Sequence, residues 1–450
     1  MTLMPKREYL ALLIGDILVF IVALWVTLAL RYLQPPSAAL FKQHLVPFSF
    51  LFIAWVVVFF LAGLYGRHTP LFRSRLFSTI LYTQIINILI AAIFFFLTPV
   101  FGIAPKTILV LYLFVSSALI FLWRISLYPR MRSGRKIRGV LIASGPDAKH
   151  LAEEVKKGHF AFAFDYAIDT KEAPSHEIIQ KACRVAVDTG VSFIVVDLSD
   201  RAVSSALPII YDAAFHKKRF ALVDAVELYQ EVFEREPLSL ISYEWVLGNI
   251  GTSILYDVLK RGIDTVVSAI AGIISLIVYP FVILAIKLDD GGPVFITQAR
   301  VGRYQEPIRI LKFRSMSGND DGQYGKSGKT SLTVTRVGKW LRLLRIDELP
   351  QLWNIVRGDL SLVGPRPELP AIAGTYSAKI PYYNARYLIA PGLTGWAQLK
   401  HDRDPHHGTD IVETKEKLSY DLYYLKHRSF FLDIFIMLQT IRIILSARGS

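Results

Sequence analysis

Four blocks of the chain, Tyr9–Leu30, Val46–Tyr65, Ile80–Val100 and Lys106–Trp123, are apolar nearly from end to end. Each approaches the ~20 residues that a helix needs to cross a hydrocarbon core of ~30 Å, so the pattern predicts four transmembrane helices. The first block is too long, and lacks the small-residue cleavage site, for a removed signal peptide. The four blocks hold almost no polar residues, which argues against a transport path through them. From Ile137 the pattern shifts. "RGVLIASGPDAKHLAEEVKKG" reads as strand, turn and amphipathic helix, and "VSFIVVDLSD" and "RFALVDAVELY" supply further strands with helical stretches between them. This alternation predicts a doubly wound α/β domain. Its first turn keeps Gly145 of a dinucleotide fingerprint but follows it with Pro146 and Ala148, so no second glycine lets a pyrophosphate approach.

A fifth apolar block, Thr265–Ile286, is long enough to span, yet Pro280 interrupts it by removing a backbone donor and clashing with the preceding turn. Near the end, "SFFLDIFIMLQTIRIILSAR" carries an apolar face, with Asp433, Gln439 and Arg442 elsewhere. It suits an interfacial helix or one packed on the preceding domain.

Charge orients these segments. Lys6 and Arg7 precede block one; Arg67, Arg73 and Arg75 follow block two; Arg130, Arg132, Arg135, Lys136 and Arg138 follow block four. The alternate loops carry only Arg31 with Lys42, and Lys106. The positive-inside rule puts the N-terminus, and everything just after residue 124, in the cytoplasm. The same rule opposes export of the basic segment Arg300–Arg314, so the fifth block is expected to bend at Pro280, enter the cytoplasmic leaflet over about 263–287, and return. A formal charge of +14 over 450 residues calls for anionic partners. No nucleic-acid-reading module is present, which leaves lipid headgroups and phosphates. The single cysteine, Cys183, excludes an internal disulfide framework.

The string "RIDELPQLWN" sets Asp347 and Glu348 among Lys339, Arg342, Arg345 and Arg357. "TRVGKWLRLLR" is helix-like, and Pro350 is tolerated only in a first turn, so a new helix is expected to begin near Asp347. A carboxylate kept ionised there can attack phosphorus, arginines can hold the spread-out charge, and a second carboxylate can handle a proton or a divalent metal. The plain alternative is that Asp347 caps the helix and Glu348 decorates its first turn. His401, His406 and His407 in "HDRDPHHG" lack zinc-type spacing and suit a solvated or substrate-edge loop.

Six blocks in order, "LKRGID", "DGGPVFITQARVGR", "LKFRSM", "TRVGKWLRLLRIDELPQLWNIVRGDLSLVGPRPE", "APGLTGWAQ" and "KLSYDLYYLKHRSFFLDIFI", resemble the monotopic phosphoglycosyltransferases, also called bacterial sugar transferases. With the four helices and the α/β domain ahead of them, the chain is similar to the long subgroup, which primes exopolysaccharide or O-antigen synthesis. The resemblance implies transfer of a hexose 1-phosphate from a UDP-sugar to undecaprenyl phosphate, with release of UMP. It implies Asp347 and Glu348 as the catalytic dyad, Asp347 being the nucleophile of a covalent phospho-sugar intermediate with magnesium beside it. Lys312, Arg314, Arg342 and Arg366 match its phosphate-binding cations, and Pro365, Arg366 and Pro367 its nucleotide-holding element. On residue type alone, Arg342 and Lys312 also fit membrane-surface contacts. Many relatives place Ser-Pro at the membrane bend where this chain has Tyr279-Pro280.

The expected architecture is therefore a membrane protein of the α plus α/β class. It has four N-terminal transmembrane helices within 1–130, a degenerate doubly wound α/β domain over 137–235, and a mainly helical monotopic catalytic domain over 255–450 with a re-entrant helix. Its implied partners are a UDP-sugar, undecaprenyl phosphate and the bacterial inner membrane, with no nucleic acid. The hexose, and a homodimer through the α/β domain, stay open. The rival reading, a catalytically silent scaffold or nucleotide sensor, leaves the dyad and its arginines unexplained.

Overall fold

The computed structural model describes residues 6–62, 64–65, 73–98, 106–128, 136–158, 160, 162–170, 180, 184, 191–198, 200–216, 220–249, 254–317, 332–401 and 410–445. Arg67, Arg130, Arg132, Arg135, Cys183, His406 and His407 lie outside these residues. The chain divides into two compact units, 1–232 and 233–450.

The first unit opens with α1 (Lys6–Tyr32), α2 (Ala38–Leu61), α3 (Arg73–Leu97) and α4 (Lys106–Leu122). All four are long and apolar enough to cross a membrane. Their interior corrects one expectation, because it is not free of polar groups. Asp16 of α1 and Arg124, on the wide turn after α4, are both buried and paired. Arg124 Nε donates to Asp16 Oδ1 at 3.1 Å, Tyr65 Oη donates to Asp16 Oδ2 at 2.7 Å, and Arg124 Nη1 donates to the Leu64 carbonyl at 2.7 Å. Gly15 makes room for this closure, since a Cβ there would sit 1.9 Å from the Trp123 ring. Gln84 and Asn87 form a second buried pair at 3.0 Å. A lone polar residue barely shifts the average of a long apolar block, and the partner of Asp16 lies 108 residues away. Local pattern therefore hides the pair.

The same unit continues into a parallel sheet of β1 (Ile137–Ile142), β2 (Phe162–Ile168), β3 (Phe193–Val196) and β4 (Ala221–Asp224), in the order β2-β1-β3-β4. Val140, Ile142, Ile194 and Val196 pack against Val203, Ala206 and Ile210 of the helix Arg201–His216. "RFALVDAVELY" is strand only as far as Asp224, whose carboxylate accepts the Val226 amide at 2.7 Å and starts a helix, Ala225–Phe233. Gly145 adopts a left-handed φ of 95°. Beside it, the Ser144 and Thr170 hydroxyls both donate to Asp200 Oδ2. The loops after β1 and β3, where strand order reverses, thus hold a carboxylate, which repels the pyrophosphate a dinucleotide would bring there.

The second unit begins before the expected boundary. Glu234 accepts from Trp396 Nε1 at 2.8 Å, and the Glu236 amide donates to Ser419 at 3.0 Å, so this stretch packs with the region that follows it. Next come α5 (Ile254–Ser275) and α6 (Tyr279–Asp289), inclined by 58° across a three-residue break. Pro280 sits in the first turn of α6, so the bend falls just ahead of it, where its missing N–H would have met the Leu276 carbonyl. Tight backbone bonds close the break, such as Val278 to Ser275 at 2.9 Å, and Ser275 Oγ donates to the Gly272 carbonyl at 2.6 Å. The Tyr279 hydroxyl has no hydrogen-bond partner among the described residues; its buried ring meets Phe313 edge-on at 4.8 Å. Ile270, Ile273, Ile274, Phe281 and Leu284 are exposed along the pair.

The hairpin β5 (Phe295–Val301) and β6 (Pro307–Phe313) follows, then α7 (Arg336–Leu343) and α8 (Gln351–Arg357). The first arm of the bent pair grips α8 at two points. Gly272 faces Trp353, its would-be Cβ 3.3 Å from the indole, and Arg261 donates to the carbonyls of Ile355 and Val356 at 2.6 and 2.8 Å. The Ile355 carbonyl also takes the Gly358 amide at 3.1 Å, and a cation at this C-terminal end of α8 is favoured by the helix dipole. Asn354, fully buried, fixes α8 to β6: its Oδ1 accepts the Leu311 amide at 2.9 Å and its Nδ2 donates to the Arg309 carbonyl at 2.8 Å. β7 (Ser361–Val363) pairs in parallel with β8 (Gly392–Thr394). The closing helices are α9 (Ile411–His427) and α10 (Phe430–Leu445). α10 packs through Ile436 and leaves Phe435, Leu438 and Ile441 exposed. Asp433 is buried rather than outward, accepting from Tyr424, Tyr256 and Lys260 at 2.7, 2.8 and 2.9 Å.

Two stability outcomes follow from these pairs. Asn354→Ala removes the partner of the half-buried Leu311 amide and Arg309 carbonyl of β6 and should cost about 1–3 kcal/mol in thermal or denaturant unfolding of the detergent-solubilised protein. Arg124→Gln leaves Asp16 buried without its cation and should cost about 3–5 kcal/mol, whereas Asp16→Leu combined with Arg124→Met should recover most of that loss.

Candidate active site

Thr335 opens α7 by accepting the Gly338 amide on its hydroxyl at 2.9 Å. Gly338 then lies directly on the chain of Ser315, where a Cβ would come within 2.0 Å of the Ser315 carbonyl oxygen. That approach brings α7 against the end of the strand carrying Lys312. After α7 the chain does not run straight into another α-helix. Arg345 takes a left-handed conformation, φ 56°, which for a non-glycine residue costs about 1–3 kcal/mol. A single 3-10 turn, Ile346–Glu348, comes next, with the Leu349 amide bonded to Ile346 at 3.1 Å. α8 starts only at Gln351, behind Pro350. The helix expected to begin near Asp347 therefore begins later, and the dyad rides on the tight turn ahead of it.

The two carboxylates have different surroundings. Glu348 Oε1 is the shared focus of three cations: Arg345 at 3.6 Å, Lys312 at 3.9 Å and Arg366 at 4.0 Å. Asp347 is 8% exposed, and its Oδ1 has no hydrogen-bond partner among the described residues. Burial pushes the Asp347 carboxyl up to about 6; the Glu348 charge adds to the rise, while Lys312, Arg342 and Arg345 pull it back. Burial likewise pushes the Lys312 ammonium down to about 8, against the pull of Glu348, with Arg366 and Arg300 adding to the fall. At neutral pH the carboxylate is mainly ionised and the ammonium mainly charged.

Arg366 reaches the dyad because its loop is held by its backbone. The Pro365 carbonyl accepts from Gly392 at 2.9 Å, the Arg366 carbonyl from Arg386 at 3.2 Å, and the Pro367 carbonyl from Arg300 at 3.3 Å. Gly364 and Gly392 cross so closely that a Cβ on Gly392 would lie 2.1 Å from the Gly364 nitrogen. Arg386 is buried and also pairs with Asp421 at 2.8 Å and Glu368 at 3.2 Å. Sequence reasoning passed over Arg300, Arg386, Asp421 and Asn354. "YNAR" and "SYDLYY" do hold charges inside apolar runs, which is the one local sign of a buried pair.

The remaining expected residues divide. Lys312, Arg366, Asp347 and Glu348 come together. Arg342 lies one turn before the dyad, acts on Asp347 through its charge, and has its guanidinium against Met316 Sδ at 3.5 Å. Arg314 instead pairs with Asp290 at 3.0 Å and with the Met316 carbonyl at 3.0 Å, bracing the end of α6. His401 faces Glu416 at 3.5 Å.

For a divalent metal, no group of three or more His, Cys, Asp or Glu side chains able to hold one occurs among the described residues. The unpartnered oxygen of Asp347, with Glu348 adjacent, is a hard donor pair. That set suits magnesium, which commonly takes one or two protein carboxylates and completes its shell with water and substrate phosphates.

The sequence profile of the bacterial sugar transferases matches residues 255–447. The UDP-N-acetylgalactosamine-undecaprenyl-phosphate N-acetylgalactosaminephosphotransferase of Aeromonas hydrophila is 41% identical over 215 residues, 46% of this chain and 48% of that protein. The UDP-glucose:undecaprenyl-phosphate glucose-1-phosphate transferase of Caulobacter vibrioides is 40% identical over 196 residues, 43% of this chain and 72% of that one. An exopolysaccharide production protein of Rhizobium leguminosarum is 36% identical over 190 residues, 41% of this chain and 94% of its own length. The match thus spans about half of the Aeromonas protein and nearly all of the Rhizobium one. All three alignments are of the length of the unit that carries the dyad, and the chain belongs to the bacterial sugar transferase family.

Proposed function

We infer that the protein transfers a hexose 1-phosphate from a UDP-sugar to undecaprenyl phosphate, releasing UMP, as a first step of exopolysaccharide or O-antigen synthesis. The observation that carries this reading is the asymmetric pair: a buried, unpartnered Asp347 oxygen beside a Glu348 that gathers Arg345, Lys312 and Arg366. The activities for which the Aeromonas and Caulobacter relatives are named support the same substrate classes.

In this mechanism a carboxylate oxygen of Asp347 attacks the β-phosphorus of the donor. The bond from that phosphorus to the bridging oxygen breaks, and UMP leaves with the oxygen. A phosphate oxygen of the lipid then attacks the same phosphorus, the acyl phosphate bond breaks, and Asp347 is regenerated. Lys312 and Arg366 hold charge that spreads over the transferring phosphoryl oxygens. Pro365, Arg366 and Pro367 form the loop edge against which the nucleotide rests. Magnesium, held by Asp347 with the donor diphosphate, would supply further charge neutralisation.

The bent pair α5–α6 acts as a re-entrant anchor in the cytoplasmic leaflet of the inner membrane, with four spans ahead of it and the soluble parts in the cytoplasm. The exposed apolar residues along the pair and the charge bias of the loops support this placement. The parallel sheet of the first unit is a degenerate doubly wound domain without nucleotide chemistry of its own.

Asp347→Asn should lower UMP release from donor alone by roughly 10³-fold or more while leaving a folded membrane protein, and no phosphosugar mass should appear on residue 347 after digestion. Wild-type release should follow a bell in pH. It falls as pH drops through about 6, where Asp347 gains its proton, and again as pH rises through about 8, where Lys312 loses its own. Glu348→Gln removes the neighbour that raises Asp347, so the acid limb of its residual activity should move to lower pH. Lys312→Arg should abolish the alkaline limb, because a guanidinium stays charged throughout this range.

A further inference from the structure

We propose that Arg345 is the residue that receives the phosphate of the lipid acceptor, taking it over from the internal anion Glu348. The inference rests on the two-step transfer argued above. Three observations meet at this side chain.

The first is backbone. Arg345 sits at φ 56°, in the left-handed region that glycine or asparagine occupies at little cost. A long cationic side chain at such a position sacrifices local stability, and a backbone outlier of this kind beside the dyad points to a role beyond the turn itself.

The second is exposure. All three cations share Glu348 Oε1, but the side chains of Lys312 and Arg366 are 17% and 20% exposed, and that of Arg345 is 45% exposed. Two cations lie inside the site and one stands at its mouth. At 3.6 Å the guanidinium of Arg345 is within ion-pair range of Glu348 but beyond an ordinary hydrogen bond. It can turn to another anion without breaking a tight bond.

The third is what surrounds the mouth. Trp340, Leu343 and Leu344 are exposed apolar residues directly before Arg345 in the chain. A bilayer covers such an edge favourably, whereas an aqueous donor has no use for it. An incoming phosphate on a lipid tail would therefore meet Arg345 first. A guanidinium pairs with such a phosphate through two parallel hydrogen bonds, a geometry the compact ammonium of Lys312 cannot offer. Glu348 then serves as the resting partner that keeps this arm aimed at the dyad between turnovers.

The test uses the full-length protein in nanodiscs of mixed anionic lipid. Arg345→Gly and Arg345→Asn remove the cation and relax the backbone; Arg345→Lys keeps the charge but not the fork. The neutral variants should melt no lower than wild type, and any loss in UMP release from donor alone, caused by the charge withdrawn from beside the dyad, should be far smaller than their loss in transfer to lipid. Their KM for polyprenyl phosphate should rise about 10- to 100-fold, the cost of one charged hydrogen-bonded contact, with a smaller rise for Arg345→Lys. An unchanged KM for the lipid overturns the proposal. So does an equal loss in donor-only release, which would assign the cation to the donor, or a lowered melting temperature, which would make the residue structural. Wild-type protein that releases no UMP from any UDP-hexose would instead overturn the transfer reaction itself, an outcome separate from any difference among the variants.

Discussion

Two carboxylates on one turn of backbone repel each other, and they stay ionised in a half-buried place only if positive charge is brought to them. The second unit is built around that demand. Glu348 receives the cations directly, at 3.6–4.0 Å. Asp347 receives only their field, so its oxygen keeps the lone pairs that a direct ion pair would occupy. One carboxylate organises the charge and its neighbour remains available for chemistry.

Each cation arrives from a different element, and each element is fixed by contacts that have nothing to do with charge. Lys312 depends on β6, which Asn354 holds to α8 through a backbone amide and a carbonyl. Arg366 depends on a loop whose three carbonyls are all taken, and on a glycine crossing too tight for any side chain. Arg345 depends on a left-handed residue between two short helical segments. These supports explain why this stretch of the chain contains so many residues with no chemistry of their own. "GPRP" and "PGLTGW" are two halves of one backbone contact.

Periodicity and charge made much of this legible. Four long apolar blocks, the strand-and-helix alternation after Ile137 and the interrupted fifth block all correspond to elements, because each rests on a pattern many residues long. Five features escaped. The Asp16–Arg124 pair joins residues far apart in sequence, and one charge cannot disturb a block average. The start of α8 was misplaced by the assumption that Pro350 must lie inside the first turn, when the left-handed Arg345 and a 3-10 turn use up the intervening residues. The bend falls before Pro280 because proline acts on the carbonyl four residues back. Arg314 was grouped with Lys312 because residues two apart in a strand share a face, but β6 ends at Phe313, so Arg314 leaves that pleat and finds Asp290 while Lys312 faces the dyad. Arg386 and Asp421 could be flagged only as charges in apolar company, since their pairing is a tertiary fact.

The last link is between the bend and the chemistry. Tyr279 and Val282 from the bent pair, Phe313 from the end of β6 and Leu341 from α7 share one apolar cluster, to which Ile346 and Leu349 on either side of the dyad are also packed. A serine at position 279 could tie off a backbone carbonyl but could not reach into this cluster. In this chain Ser275 braces the break by donating to the Gly272 carbonyl, and position 279 carries an aromatic ring against Phe313. Phe313 follows Lys312 directly, so the packing that sets the bend also sets the strand that delivers the buried cation. A close-packed cluster transmits displacement instead of absorbing it. The inclination of the bent pair and the position of the dyad are then coupled, fixed by the same side chains.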